Sequence, residues 1–348
     1  MTCSEPSCPL PQSVAVCVPV RDEERALPAL LAALERQRTA GVDLTVCFHL
    51  DGCRDDSGLL LDRAATGFPH PLRVTQGPRR AEPNAGQARR AAMAIGLAAV
   101  GEDTDAVLLT TDADSVPAPD WVAAACCALR EADVATGIIH RSEPHALQTR
   151  VEQYYDRLHR YRRSVDPVPW DGGQGRHFSG AANLAVRAST YRALGGFAEI
   201  ASGEDAALLD QAARAGFRVR RDPAMVVETS SRRQGRAQGG LAAALAELDR
   251  TGLPEVAHPA AAAWQYRAQA RARAAFAGMA DEAVRQRLGL FLGLTSDHVL
   301  GVARDCPNAE AFAMCVVPCA AGGEWLVPLA AAEEALSLLE RDAREEAA

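Results

Sequence analysis

Short apolar runs alternate along this chain with longer amphipathic ones. VAVCVPV (Val14 to Val20) is brief, continuous and rich in valine, the pattern of a strand buried on both faces, and LTVCFHL (Leu44 to Leu50) reads as a second strand. Each is followed by a polar turn, RDEER or DGCRDDS, and then by helical spacing over Leu27 to Arg38, with Pro28 tolerated in the first turn, and over Leu59 to Ala65. A third cycle runs from LRVT (Leu72 to Thr75) through GPRRAEPNAGQ to a long helix, Ala88 to Val100, before DAVLLTT returns to the sheet. Strand and helix in alternation predict a mostly parallel sheet with helices on both faces.

Beyond Trp121 the pattern predicts a helix from Val122 to Ala132, a strand VATGII, a polar helix from Ala146 to Arg163 and a Pro/Gly-rich loop from Asp166 to Gly175. A helix opened by SGED and a strand VRRDPAMVVET follow. From about Thr251 the sequence becomes alanine-rich and helix-favouring, with Pro254 and Pro259 at the boundary. The chain thus divides into a tail, 1–12, an α/β domain, 13–250, with halves 13–115 and 116–250, and an α-helical C-terminal appendage, 251–348. No repeat of fixed period is visible.

Composition narrows the function. At 348 residues with 48% hydrophobic and 24% charged positions, the chain has enough apolar sequence for a large core and little room for disorder. A formal net charge of -8 argues against nucleic acid as a partner, because phosphate binding needs clustered positive charge. There is no lysine, so every cationic side chain other than histidine is an arginine and no side-chain Schiff base can form. The ten cysteines include no C-x-x-C pair, which suggests neither a zinc site nor a disulfide framework. Neither a signal-peptide pattern at the N-terminus nor an uninterrupted apolar run of about 18 residues occurs, so a cytoplasmic protein without a transmembrane segment is expected.

The stretch LLTTDADSVPAPDW (Leu108 to Trp121) carries the main candidate chemistry. Asp112 falls at the carboxyl end of a predicted central strand, where open α/β sheets bind ligands. In extended chain, residues two apart share a side, so Asp112 and Asp114 can aim both carboxylates at one cation; hard oxygen donors suit magnesium or manganese better than zinc. An isolated D-x-D reads equally as a solvated turn whose Asp114 and Ser115 cap the next helix. Glu204 and Asp205 open a helix and would stabilise its dipole whatever else they do. Asp51, in Asp-Gly, reads as a turn residue. The loop SSRRQGRAQGG is either a solvated basic loop or a lid whose Arg232, Arg233 and Arg236 grip phosphate by paired hydrogen bonds. Tyr154, Tyr155, Trp170 and His177 suit core packing.

Seven stretches in order, VCVPVRDEER, HLDGCRDDS, NAGQARRAA, LLTTDADSVPAPDWV, SGAANLAVRAS, the GGF at Gly195 to Phe197 and SGEDAALLDQAARAG, together resemble family 2 glycosyltransferases of the GT-A, nucleotide-diphospho-sugar transferase fold. The resemblance implies a nucleotide-binding half, 13–115, in which Pro19, Arg21, Asp22, Asp51, Asn84 and Arg89 line the nucleotide pocket. It also implies an acceptor and catalytic half, 116–250. It makes Asp112 and Asp114 the metal pair, with Asp114 the direct ligand, Asp205 the catalytic base and Glu204 a group that binds acceptor or sugar hydroxyls. The implied activity is metal-dependent, inverting transfer of a hexosyl group from a nucleotide-diphosphate donor to a hydroxyl-bearing small molecule, glycan or lipid. The Q-x-x-R-W motif and membrane helices of the polysaccharide synthases are missing, which points to transfer of a single sugar. The resemblance further implies Tyr154, Tyr155, Trp170 and His177 as candidates to line an acceptor site and, since some members of the fold use a histidine, His258 as a candidate further metal ligand. The C-terminal helices are a candidate homodimer surface.

Two alternatives have sequence support. DADSV approximates the nucleophile motif of haloacid dehalogenase-like phosphatases, although that chemistry normally uses a lysine and this chain has none. A non-catalytic nucleotide-sugar binding protein would keep the pocket and not need Asp205.

Overall fold

The structure is a computed structural model, and it describes residues 11–39, 41–103, 105–173, 175–177, 180–233, 235, 240–320 and 323–347. The elements follow in the order β1 (Ser13–Val20), α1 (Leu27–Glu35), β2 (Asp43–Asp51), α2 (Ser57–Ala65), β3 (Leu72–Gly77), α3 (Ala85–Val100), β4 (Val107–Thr110), β5 (Ser115–Pro117), α4 (Trp121–Ala128), β6 (Val134–Arg141), α5 (Ala146–Val165), β7 (Leu184–Arg187), α6 (Ala188–Ala193), α7 (Glu204–Arg214) and β8 (Val219–Thr229). After these come α8 (Leu241–Thr251), β9 (Glu255–Ala257), α9 (Pro259–Ala275), α10 (Glu282–Leu292), α11 (Ser296–Asp305), α12 (Ala309–Val316), β10 (Leu326–Pro328) and α13 (Leu329–Ala347). The chain forms two compact units: residues 1–144, 172–209 and 219–246, and residues 145–171, 210–218 and 247–348.

In the first unit an eight-stranded sheet runs in the order β3-β2-β1-β4-β7-β6-β8-β5. The β1–β2, β2–β3, β1–β4 and β6–β8 pairs are parallel, whereas β7 is antiparallel to both β4 and β6, and β5 to β8. β1 has the next strand in sequence, β2, on one side and β4 on the other, so the order reverses there and a crevice opens beyond the carboxyl ends of β1 and β4. The core joins the valines of β1, Phe48 of β2, Leu109 of β4 and the fully buried Trp121 of α4. α3 begins at Asn84, whose side chain accepts a 2.8 Å bond from the Gln87 amide, and packs close to the sheet because Gly96 faces β1. A β-carbon there would come within 2.3 Å of the Cys17 sulfur.

Two predicted helices end early: the one expected to reach Arg38 stops at Glu35, and the one expected to reach Ala132 stops at Ala128. The capping NH of Arg36 turns back to Leu34 O in the first, and that of Leu129 to Ala125 O and Cys127 O in the second. β5 and β7 are not anticipated by the apolar pattern. β5 has three residues and owes its existence to Ser115 pairing with Thr229, a partner that lies far along the chain.

The second unit gathers α5 with the C-terminal helices. α5 reads as polar, yet Val151, Tyr154, Leu158 and Tyr161 recur at spacings of three and four and form one face. That face is buried with Val256, Ala263, Leu329, Ala332 and Leu336, and Arg150 and Arg157 pair with Glu333 and Glu340 of α13 at 2.6 and 2.8 Å. Phe312, Val316, Leu292 and Val299 lie in a further core cluster of this unit. Among the described residues no helix is long and apolar enough to cross a membrane.

Asn183 holds the junction of β6, β8 and α4 in the first unit. Its amide donates to Ile138 O at 2.9 Å and Met225 O at 3.0 Å, and its oxygen accepts the Trp121 indole N–H at 2.8 Å, all within the interior. Gly137 leaves room for it, since a β-carbon there would meet Met225 O at 2.2 Å and the Asn183 amide at 2.4 Å. Asn183→Leu strands one buried donor and two carbonyls, and is expected to lower unfolding stability by about 3 kcal/mol or more, read from urea denaturation. A loss below about 1 kcal/mol would contradict this role.

Candidate active site

The strand ends and two helix starts converge on one cavity of about 590 Å³ in the first unit. Its lining includes Pro19 and Arg21 after β1, Asp51 at the end of β2, Asn84 and Arg89 of α3, and Asp112 and Asp114 after β4. Glu204 and Asp205 at the start of α7 and Arg232 after β8 complete it. These sequence-predicted residues are therefore neighbours in space. Asp22, Arg233, Tyr154, Tyr155, Trp170 and His177 do not line this cavity, and Arg236 lies outside the described residues.

Asp22 has another task. It sits at φ 54°, an uncommon conformation for a residue with a β-carbon, and its carboxylate accepts from the Arg54 amide at 2.7 Å and from Arg79 at 2.8 Å, tying the turn after β1 to the turn after β2. Asp22, Cys53 and Asp55 bring one metal-ligating atom each within 4.8 Å of one another. The oxygens of Asp55 already accept the Glu24 and Ser57 amides at 2.8 and 3.1 Å, and Cys53 donates to Val20 O, so this cluster is a turn lock. In the second unit Tyr154 is buried and donates to Ala257 O at 2.7 Å, and Trp170 lies beneath the Arg218 guanidinium. His258 caps α9 through Nδ1 and stacks on Trp325.

Within the cavity the charges are paired in a definite way. Asp51 is buried and accepts from Arg21 on one oxygen at 2.8 Å and from Arg80 on the other at 2.9 Å. Arg89 is 6% exposed and uses every nitrogen: Nε donates to Glu204 Oε1 at 3.1 Å, Nη1 to Thr110 Oγ1 at 2.9 Å and Ala181 O at 3.3 Å, and Nη2 to Asp112 Oδ1 at 2.8 Å. Burial pulls its pKa down, but Asp112 and Glu204 together outweigh this and raise it, so the group stays cationic. Glu204 thus turns an oxygen to Arg89 and is itself buried, whereas Asp205 is only partly buried and accepts the Ala181 amide at 3.2 Å.

A second guanidinium stands on the other side. Arg232 makes a two-pronged pair with Glu23, at 2.7 and 2.6 Å, and approaches Asp114 at 3.3 Å. Burial, then the Asp112 charge, lift the Asp114 carboxyl to about 6 against an ordinary 3.8; Arg232 draws it down by less, and Glu23 adds to the rise. Glu23 is the site residue that sequence reasoning missed. Its signal was present in RDEER, an acid in the turn that follows a buried strand, but its Arg232 partner lies 209 residues away.

The model of the glycosyl transferase family 2 matches residues 15–192. No curated protein matches by sequence. Among solved structures, S. aureus TarS 1–349 in complex with UDP-GlcNAc is 15% identical, with 86% of this chain and 89% of that one covered and a TM-score of 0.48. The Pyrobaculum calidifontis mannosyltransferase PcManGT, in complex with GDP-Man and Mn2+, is 15% identical over 97% of this chain and 81% of that one, at 0.47. GalNAc-T7 with UDP, GalNAc and Mn2+ is 13% identical over 87% and 56%, at 0.50, a likeness of fold. A mostly parallel sheet flanked by helices, a carboxylate pair at its switch point and a family match spanning half the sequence agree: this chain belongs to glycosyl transferase family 2.

Proposed function

We propose that the chain is a metal-dependent, inverting glycosyltransferase that moves a hexosyl group from a nucleoside-diphosphate donor to a hydroxyl-bearing acceptor. One observation carries the reading: Asp112 and Asp114, after a central strand, and Asp205, at the opening of α7, line the same cavity. Metal-dependent inverting transfer needs a negative site for a cation on the leaving-group side and a carboxylate base on the acceptor side.

The residues fit a divalent cation. Asp112, Asp114 and Glu23 bring three carboxylates to one end of the cavity, and Asp114 is lifted to about 6 first by burial and then by the Asp112 and Glu23 charges, which a cation there would offset. All the donors are hard oxygens, which suits magnesium or manganese. Bound to Asp112 and Asp114, such a cation supplies Lewis-acid stabilisation to the departing diphosphate, worth several kcal/mol.

The other roles belong to the protein itself. Asp51, fixed by Arg21 and Arg80, presents a preset acceptor to the nucleoside base, with Pro19 beside it. Arg232, already close to Asp114, carries a fork that matches phosphate oxygens. Asp205 takes the proton of the acceptor hydroxyl as the new bond forms. The Ala181 amide orients the Asp205 carboxylate for that task.

In protein kept metal-free with chelator, Asp114 binds its proton more tightly folded than unfolded. Its contribution to stability is therefore lost as pH rises from about 4 through about 6, by up to about 3 kcal/mol. Asp114→Asn should flatten that part of the stability profile and be the more stable protein at pH 7.5, by about 1–3 kcal/mol in denaturant unfolding. Greater stability of the wild type there would refute the assignment.

For turnover, Asp114→Ala should abolish manganese-dependent binding of UDP- and GDP-sugars in calorimetry. Asp205→Asn should bind donor as the wild type does and lose roughly 10²- to 10⁴-fold in transfer, read as nucleoside diphosphate released from a donor panel with acceptor extract. Full turnover by Asp205→Asn would remove it as the base.

A further inference from the structure

Arg89 is buried where a single carboxylate partner would neutralise it, yet it has two, on different elements: Glu204 at the opening of α7 and Asp112 after β4. The two differ in setting. The Glu204 side chain is 7% exposed, and Asp112 at 38% still faces the cavity. Nη1 holds the Thr110 hydroxyl and the Ala181 carbonyl, while the amide of that same Ala181 is the one that Asp205 accepts. The Phe197 ring lies against the guanidinium, its centroid 5.9 Å from the central carbon, and closes that side to water. One planar group thus bonds to the strand end that bears one carboxylate pair and to the helix start that bears the other, which a compact ammonium could not do.

We propose that Arg89 is a positioning residue that shares one charge between Glu204 and Asp112, so that Glu204 governs how much negative charge Asp112 offers a divalent cation although it touches no cation itself. With Glu204 ionised, the guanidinium is held from both sides and Asp112 keeps much of its charge for the cavity. Without that charge, Arg89 is balanced by Asp112 alone and repels a second cation. The inference rests on the proposed cation site, and it assigns Glu204 to the cation end of the reaction instead of to acceptor hydroxyls.

The test is Mn2+ titration followed by electron paramagnetic resonance of the free ion, on the full chain, without nucleotide and then with UDP or GDP. Glu204→Gln is isosteric and still offers Arg89 Nε an amide oxygen, so the fold is retained; its Mn2+ affinity should fall roughly tenfold through loss of one nearby charge. The double variant Arg89→Met with Glu204→Met removes both charges and fills the space, and should bind Mn2+ at least as tightly as the wild type. This reversal is not expected of a merely structural ion pair, whose double variant would be no better than the single. Asp114→Ala separates the two ideas. If it loses Mn2+ while Glu204→Gln binds normally, or while the double variant binds no better than Glu204→Gln, the coupling is overturned and the cation site stands. If Asp114→Ala binds Mn2+ as the wild type does, the site falls and the coupling with it.

Discussion

Negative charge gathered where water is scarce is the constraint on which this molecule turns. Asp112, Asp114 and Glu23 meet at one end of a cavity in which burial already pushes the Asp114 carboxyl toward its neutral form, and two guanidinium groups from distant parts of the chain keep them in place. Arginine suits this better than lysine, because a fixed planar fork can bond two acids at once and remains charged at every physiological pH. With no lysine in the sequence, the cleft has only that kind of cation at its disposal besides histidine.

The sheet explains why the acids come together. β1 and β4 are parallel neighbours at the point where strand order reverses, so their following turns open the same crevice. β7 then runs antiparallel between β4 and β6, and the Gly180–Asn183 turn that leads into it supplies the Ala181 amide to Asp205 and its carbonyl to Arg89. The site depends on backbone groups as much as on side chains.

Much of this was legible beforehand. Continuous apolar runs located β1 and β2, and an apolar strand directly ahead of Asp112 placed the acids at the carboxyl end of the sheet, because burial of whole segments leaves a mark on local sequence. What sequence could not supply were partners: Glu204 is 115 residues from Arg89, and Arg232 is 209 from Glu23. Tyr154 and Tyr155 suited core packing or an acceptor site, and core packing holds, but the side chains that bury α5 come from the far end of the chain and are not visible in local sequence. β5, at three residues, is too short for any window to register.

The interleaving of the two units bears on how the gene can be dissected. The second unit takes residues 145–171 and 210–218 from within the stretches that make the first. A protein cut after residue 250 would keep α5 and lose its covering of Val256, Ala263 and the α13 leucines, leaving Val151, Tyr154, Leu158 and Tyr161 as a sticky stripe beside unpaired Arg150 and Arg157. Such a fragment, although it retains every residue lining the cavity, is one that should aggregate in the expression host, so neither portion is separable by a single cut.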